Sequence, residues 1–137
     1  MNSKYLFDPV RRREVLATPE ELVRQAILKY LIESLHVPVN LIGVEFSLSA
    51  IEPGNFNRAD IVVYEPGQNQ LKPWLLVECK APQVPIDEEV AFQAAGYLKK
   101  IPSKFVMLSN GKTNQYLRWD LQAKRYIGVL SLPFFSS

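Results

Sequence analysis

The stretch "WLLVECKAP", residues 74–82, limits the fold of this chain more than any other. Trp74 to Val77 is an unbroken apolar run, the pattern of a strand at the centre of a sheet. Glu78 and Lys80 follow at once, with only Cys79 between them, and Ala81-Pro82 ends the run. Side chains alternate along a strand, so Glu78 and Lys80 share a face, roughly 7 Å apart, and Cys79 turns the other way into apolar packing. Taking an ion out of water is expensive even after relaxation. Charges at the end of a buried strand therefore need a partner, a metal or a chemical task.

The surrounding pattern is α/β. "TPEELVRQAILKYLIESL" (18–35) reads as one helix, with Thr18 as N-cap, Pro19 at the first position and Glu21 completing a capping box. Val23, Ile27, Tyr30, Leu31 and Leu35 give it an apolar face. Strands are expected at 41–51, 58–65 and 74–81, with turns at "EPGNFN" and 66–73. A second helix spans 85–101 with Asp87 as N-cap. Strands at 104–111, 113–121 and 125–132 complete the order α-β-β-β-α-β-β-β. The second and third strands are adjacent in sequence and expected to be antiparallel. The helix after the third leaves the fourth free to pair parallel. Residues 1–17 read as an N-terminal arm of one domain spanning 1–137.

Composition excludes several classes. The 137 residues are 47% hydrophobic and 22% charged, as in an ordinary globular domain. A net charge of +2 is too weak to argue for nucleic acid by itself. The lone cysteine rules out an internal disulfide and a cysteine-based zinc site, and suits a reducing cytoplasm. No apolar stretch reaches the length of a signal peptide or a membrane span. His36, the only histidine, sits at a helix end, where capping of carbonyls is the commoner role.

Asp60 repeats the oddity of Glu78: a carboxylate at the start of an apolar run, "RADIVVY". Alternation does not fix the register of the two strands, but it allows Asp60 to lie opposite the end carrying Glu78. Two carboxylates on neighbouring strands can hold a hard divalent cation such as Mg²⁺, and a nearby lysine can orient water or stabilise charge in phosphoryl transfer. Around an empty metal site, removing either carboxylate should relieve repulsion and leave stability unchanged or raised. The competing reading of Glu-x-Lys is a surface ion pair worth about 0–1 kcal/mol.

"RAD" followed by "VECKAP" resembles the core of the PD-(D/E)XK nucleases. The blocks "FDPVRRREVLATPEELVRQAILKYLI", "VPVNLIGVEFSL", "NRADIVVYE", "PWLLVECKAP", "AFQAAGYLKKI" and "MLSNGK", over residues 7–115, resemble in order the N-terminal nuclease domain of type I restriction enzyme R subunits. The resemblance implies a restriction-endonuclease-like core and a DNA endonuclease dependent on Mg²⁺, for which Mn²⁺ can substitute. It implies Asp60 and Glu78 as metal ligands, Lys80 as the catalytic lysine, and Glu21 or Glu20 as a further acid at the metal. Gln93 and Tyr97 match its Gln-x-x-x-Tyr element, four apart on one helix face. Gln93 would join the catalytic set, and Tyr97, Arg58 and Lys112 would contact nucleic acid. Against these roles stand a purely capping Glu21, a Tyr97 that packs on the sheet and a surface-paired Arg58. The implied partner is DNA, with a helicase or translocase, a specificity subunit and a second copy of the chain as candidates, and no membrane. The alternative is a DNA-binding or accessory module of a restriction, defence or repair complex with little cleavage of its own.

The sequence departs from that pattern in places. Ala59 stands where a proline usually precedes the aspartate, and the helicase motor of full R subunits lies outside these residues. "NGKT" (110–113) superficially matches the end of a phosphate-binding loop, but Val106 occupies the position of the required glycine. Arg11, Arg12, Arg13, Lys99, Lys100, Lys104, Lys112, Arg118, Lys124 and Arg125 supply charge for phosphate contacts, though each is more commonly a solvated surface residue.

Overall fold

Thr18 starts the first helix as its sequence requires: its hydroxyl accepts from the Glu21 N–H at 3.1 Å. The capping box is only half formed, because the Thr18 N–H donates to the Leu16 carbonyl and the Glu21 side chain is engaged elsewhere. Helix α1 runs Pro19–Lys29 and continues as a wider π-helical turn, Tyr30–Ser34, where a single α-helix over 18–35 was expected. The Leu35 N–H reaches back five residues to the Tyr30 carbonyl. His36 then stops the helix in the left-handed conformation, φ 63°. Its ring stacks on Phe134.

The computed structural model describes residues 4–47, 54 and 58–136. The distal part of the expected strand 41–51 and most of the turn after it lie outside the described residues. Within the arm expected at 1–17, the described residues include a hairpin, β1 Tyr5–Asp8 and β2 Arg13–Leu16. A six-stranded mixed sheet follows, with strands β3 Ile42–Ser47, β4 Arg58–Pro66, β5 Leu71–Cys79, β6 Phe105–Ser109, β7 Asn114–Asp120 and β8 Arg125–Val129 in that spatial order. Among the described residues only β5 and β6 pair parallel, since α2, Glu88–Leu98, crosses between them. Asp87 caps α2 by accepting from the Glu89 and Val90 amides.

Strand β5 begins three residues before the expected Trp74, although Pro73 argued for a turn there. Pro73 pairs with Tyr64 at a register shift in β4, a place that tolerates the missing N–H. "NGKT" is the turn joining β6 to β7. The Asn110 Oδ1 accepts from the Lys112 and Thr113 amides. Gly111 takes φ 86° there, and a Cβ would stand 3.2 Å from Val23 Cγ2.

The sheet is covered on both faces. Ile61, Val63, Leu75, Val77 and Cys79 pack with Val23, Ile27, Leu28 and Leu31 of the first helical segment. On the other face Val62 and Leu76 pack with Tyr97 and Ile101. Leu28 is fully buried, whereas Leu22 on the same helix is half exposed. Leu28→Ala is expected to lower unfolding free energy by about 2–5 kcal/mol, and Leu22→Ala by less than about 0.5 kcal/mol, read from urea-denaturation midpoints. Equal effects would contradict this placement of α1.

Candidate functional site

The ladder joining β4 to β5 includes Ile61 opposite Val77. One step outward on each strand stand Asp60 and Glu78, both at the edge of the apolar core, 9% and 3% exposed. Asp60 stands close enough for its charge to act on the Glu78 carboxyl. The Asp60 Oδ2 also accepts from the Cys79 backbone N–H at 2.8 Å. The Lys80 Nζ lies 3.5 Å from the Glu78 Oε2, just past the end of β5, and donates to the Gln93 Oε1 at 2.9 Å. Tyr97 follows Gln93 one helical turn later, and the Glu78 and Asp60 charges act on its hydroxyl. The sheet and α2 thus bring Asp60, Glu78, Lys80, Gln93 and Tyr97 together. Tyr97 packs its ring in the core, as one of the two readings weighed for it expected.

Burial pushes the Glu78 carboxyl up to about 9, with the Asp60 hydrogen bond and charge adding to the rise and Lys80 opposing it. Two carboxylates this close cannot both ionise without a compensating cation. Burial also raises Glu20, and the Asp60 charge adds to it, against Arg24 and Lys80. Glu20 therefore belongs to the electrostatic neighbourhood of Asp60. Burial raises the Cys79 thiol well above its usual range, which leaves it inert packing.

Glu21 faces a different set of groups. Its Oε1 accepts from Arg24 at 2.6 Å and its Oε2 from Arg11 at 2.8 Å. Arg11 also donates through Nε to the fully buried Asp8, and Gln25 bridges Asp8 and Glu21. Arg11 is thus committed inside the protein and not free for phosphate. Arg24 extends a second nitrogen to the Asp60 Oδ1 at 2.7 Å. Burial alone would lower its guanidinium, but the Asp60 hydrogen bond and the flanking carboxylates hold it above its ordinary value. Its Nε is buried with no hydrogen-bond partner among the described residues, a penalty of about 1–3 kcal/mol tolerated beside two strong ion pairs.

Glu45 completes this polar layer. It occupies the rung of β3 between the pairs Val44–Ile61 and Phe46–Ala59, at the level of Asp60, with φ 52°. A non-glycine residue held in that region marks local strain. Its carboxylate lies 3.7–3.8 Å from Arg11, Arg24 and Arg58. Arg58 is otherwise exposed and Lys112 projects from the β6–β7 turn. Neither joins the Asp60–Glu78 cluster. A polar cavity of about 500 Å³ between the hairpin and α1 is lined by Arg11, Arg13, Glu20, Glu21, Arg24 and Glu45, among others.

Asp8, Arg24 and Glu45 were not singled out in the sequence. Arg24 carried a readable signal, since positions 24, 28, 31 and 35 follow helical spacing and the last three are core residues. Asp8 followed by Pro9 also signals a turn whose amides the carboxylate can accept. Its Oδ1 does so from Val10 and Arg11 at 2.7 Å each. Glu45 carried no signal, because its role depends on sheet register.

Among the described residues no group of three or more His, Cys, Asp or Glu side chains converges as a ready cage for a metal ion. The Asp60–Glu78 pair nonetheless fits a hard divalent cation of the Mg²⁺ type, which commonly uses one or two carboxylates and keeps several waters. All its donors are oxygen, and even with Arg24 on Asp60 and Lys80 beside Glu78 the Glu78 carboxyl stays raised by burial.

An α/β fold with a mixed sheet, carrying paired acids and a lysine at the end of its central strands, defines the class of domain. A family model described as "Type I restriction enzyme R protein N terminus (HSDR_N)" matches residues 19–133. The chain belongs to that family, which sets it in the context of restriction systems. Neither the curated proteins nor the solved structures contain a match.

Two stability outcomes follow. The folded protein holds the Glu78 proton up to about 9, whereas an unfolded carboxyl releases it at 4.5. The folded state binds more protons between those values, so this contribution falls as pH rises through that window. Asp8, whose carboxyl is lowered, acts only on the acid side of it. Melting of metal-free protein should therefore decline from about pH 5 to about pH 9, and Glu78→Gln should flatten the decline. An identical pH slope in the variant would contradict the shared proton. The symmetrical expectation for the two acids separates here: Glu78→Gln should be neutral or stabilising. Asp60→Asn should destabilise by up to roughly 3–5 kcal/mol, because Arg24 loses a buried partner. Chemical denaturation of both variants at pH 8 measures the difference.

Proposed function

We propose that this chain is a metal-dependent DNA endonuclease domain with the restriction-endonuclease-like core of the PD-(D/E)XK superfamily, working in the cytoplasm as part of a restriction system. The observation that carries this reading is the buried contact between Asp60 and Glu78 with the Lys80 ammonium 3.5 Å away. Asp60 and Glu78 would hold Mg²⁺ or Mn²⁺. Glu20 is the better placed of the two neighbouring acids to assist, because Arg24 stands 3.6 Å from it, whereas Arg24 and Arg11 hold Glu21 at 2.6 and 2.8 Å. A divalent cation bound there would supply Lewis-acid charge to the phosphodiester and lower the pKa of water.

The chain's own residues account for the remainder of the chemistry. Lys80 orients the attacking water or stabilises the charge that grows on the phosphoryl oxygens. Gln93 fixes the ammonium by accepting a hydrogen bond from it. Arg58 and Lys112, both on the surface, are available for backbone phosphates of DNA. A motor or specificity subunit would bring DNA to the site, and a second copy of the chain would serve a double-strand cut.

Single-turnover cleavage of plasmid and oligonucleotide DNA in Mg²⁺ or Mn²⁺ tests this. Lys80→Ala should slow cutting by about 10²–10³ while leaving metal affinity largely intact. Asp60→Ala should lose both. Equal cutting by all three proteins would mean that the activity belongs to a contaminant. Metal-dependent DNA binding without cutting would move the assignment to an accessory DNA-binding module.

A further inference from the structure

We infer that Arg24 is a positioning residue that fixes the Asp60 carboxylate for cation binding, and that the β1–β2 hairpin holds Arg24 in place through Arg11 and Glu21. The inference rests on the metal-site reading of Asp60, yet its geometry can be tested apart from it. Asp60 stands at the start of β4, where the sheet alone supplies one tether to its side chain, the Cys79 amide on Oδ2. Arg24 supplies the other, on Oδ1. Two donors on the two oxygens fix both the position and the rotation of the carboxylate plane. Each oxygen retains a further lone pair.

The guanidinium is itself constrained. It is 6% exposed, and one terminal nitrogen is held by Glu21 while the other is held by Asp60. Glu21 is gripped from the far side by Arg11, whose Nε and backbone N–H are both bound to Asp8 in the hairpin loop. The chain Asp8–Arg11–Glu21–Arg24–Asp60 therefore runs without a break from the N-terminal hairpin to the acid on β4. Its alternating charges leave no buried ion without an opposite neighbour. A lysine could not replace Arg24, because one ammonium cannot present the planar fork that spans two carboxylates.

The variants are Arg24→Lys, Arg24→Gln and Arg11→Gln, each compared with wild type for Mn²⁺ affinity by calorimetry and for the Cys79 amide by nitrogen-15 NMR without metal. Removing a partner that orients a metal ligand typically weakens metal binding about 10- to 100-fold. Both Arg24 variants should show such a loss. Both should also shift the Cys79 amide resonance and speed its exchange, with the Val106 amide unchanged. Arg11→Gln should show the same pattern at smaller size, and it carries the test if the Arg24 variants do not fold. A folded Arg24→Lys protein with wild-type Mn²⁺ affinity and an unaltered Cys79 amide would overturn the inference. If wild type binds no Mn²⁺, the metal-site reading falls, and the Cys79 amide still decides whether Arg24 orients Asp60.

Discussion

The ion pair between Arg24 and Asp60 is the contact on which the site depends. It joins α1 to the β4 strand across the end of the sheet, at 2.7 Å and nearly out of water. A buried pair of this kind adds little net stability compared with apolar packing of equal volume, but breaking it is expensive. The gain is in placement: the pair determines where an ionised carboxylate sits beside Glu78. Other polar contacts in the region support the guanidinium from behind, as Glu21, Arg11 and Asp8 do, or lie on the far side of the carboxyl pair, as Lys80 and Gln93 do.

The apolar framework explains why these charges can stay buried. Residues 61–63 and 75–77 are fully inaccessible and covered by helical segments on both faces. Charge is therefore admitted only at the strand ends, where Asp60 and Glu78 stand. The parallel pairing of β5 with β6 also places the turn after β6 next to the site's own strand, since the Lys80 amide bonds the Ser109 carbonyl and Asn110 bonds Val84. The segment following Lys80 is thus held against the β6–β7 turn.

Much of this was legible in the sequence, for local reasons. Thr18-Pro19 and Asp87 carry cap chemistry that depends on a few neighbouring residues, and the apolar runs of β4, β5 and β6 carry strand periodicity. The association of Asp60 with Glu78 was readable as an option because both charges interrupt such runs. What escaped had non-local causes. Strands β1 and β2 are four residues each, with only Asp8 and Val15 buried, so no periodic signal marks them. The partners of Arg24 lie 3 and 36 residues away, and the second is visible only once the sheet has formed. The strained Glu45 is meaningful only through its alignment with Asp60. Glu20 and Glu21, adjacent and chemically alike, could be told apart only by the direction in which the helix turns each one.

Burial and the Asp60 charge raise the proton affinity of Glu20 and Glu78, and Lys80 offsets part of the rise at both. The central claim is that a divalent cation completes this set. Anomalous scattering from crystals soaked in Mn²⁺ tests it most directly. A single peak bridging the Asp60 and Glu78 carboxylates, at about 2.0–2.2 Å from their oxygens and absent from Asp60→Ala crystals, is the expected result. Crystals soaked to saturation with no peak at this pair, or with Mn²⁺ bound only elsewhere, would contradict it.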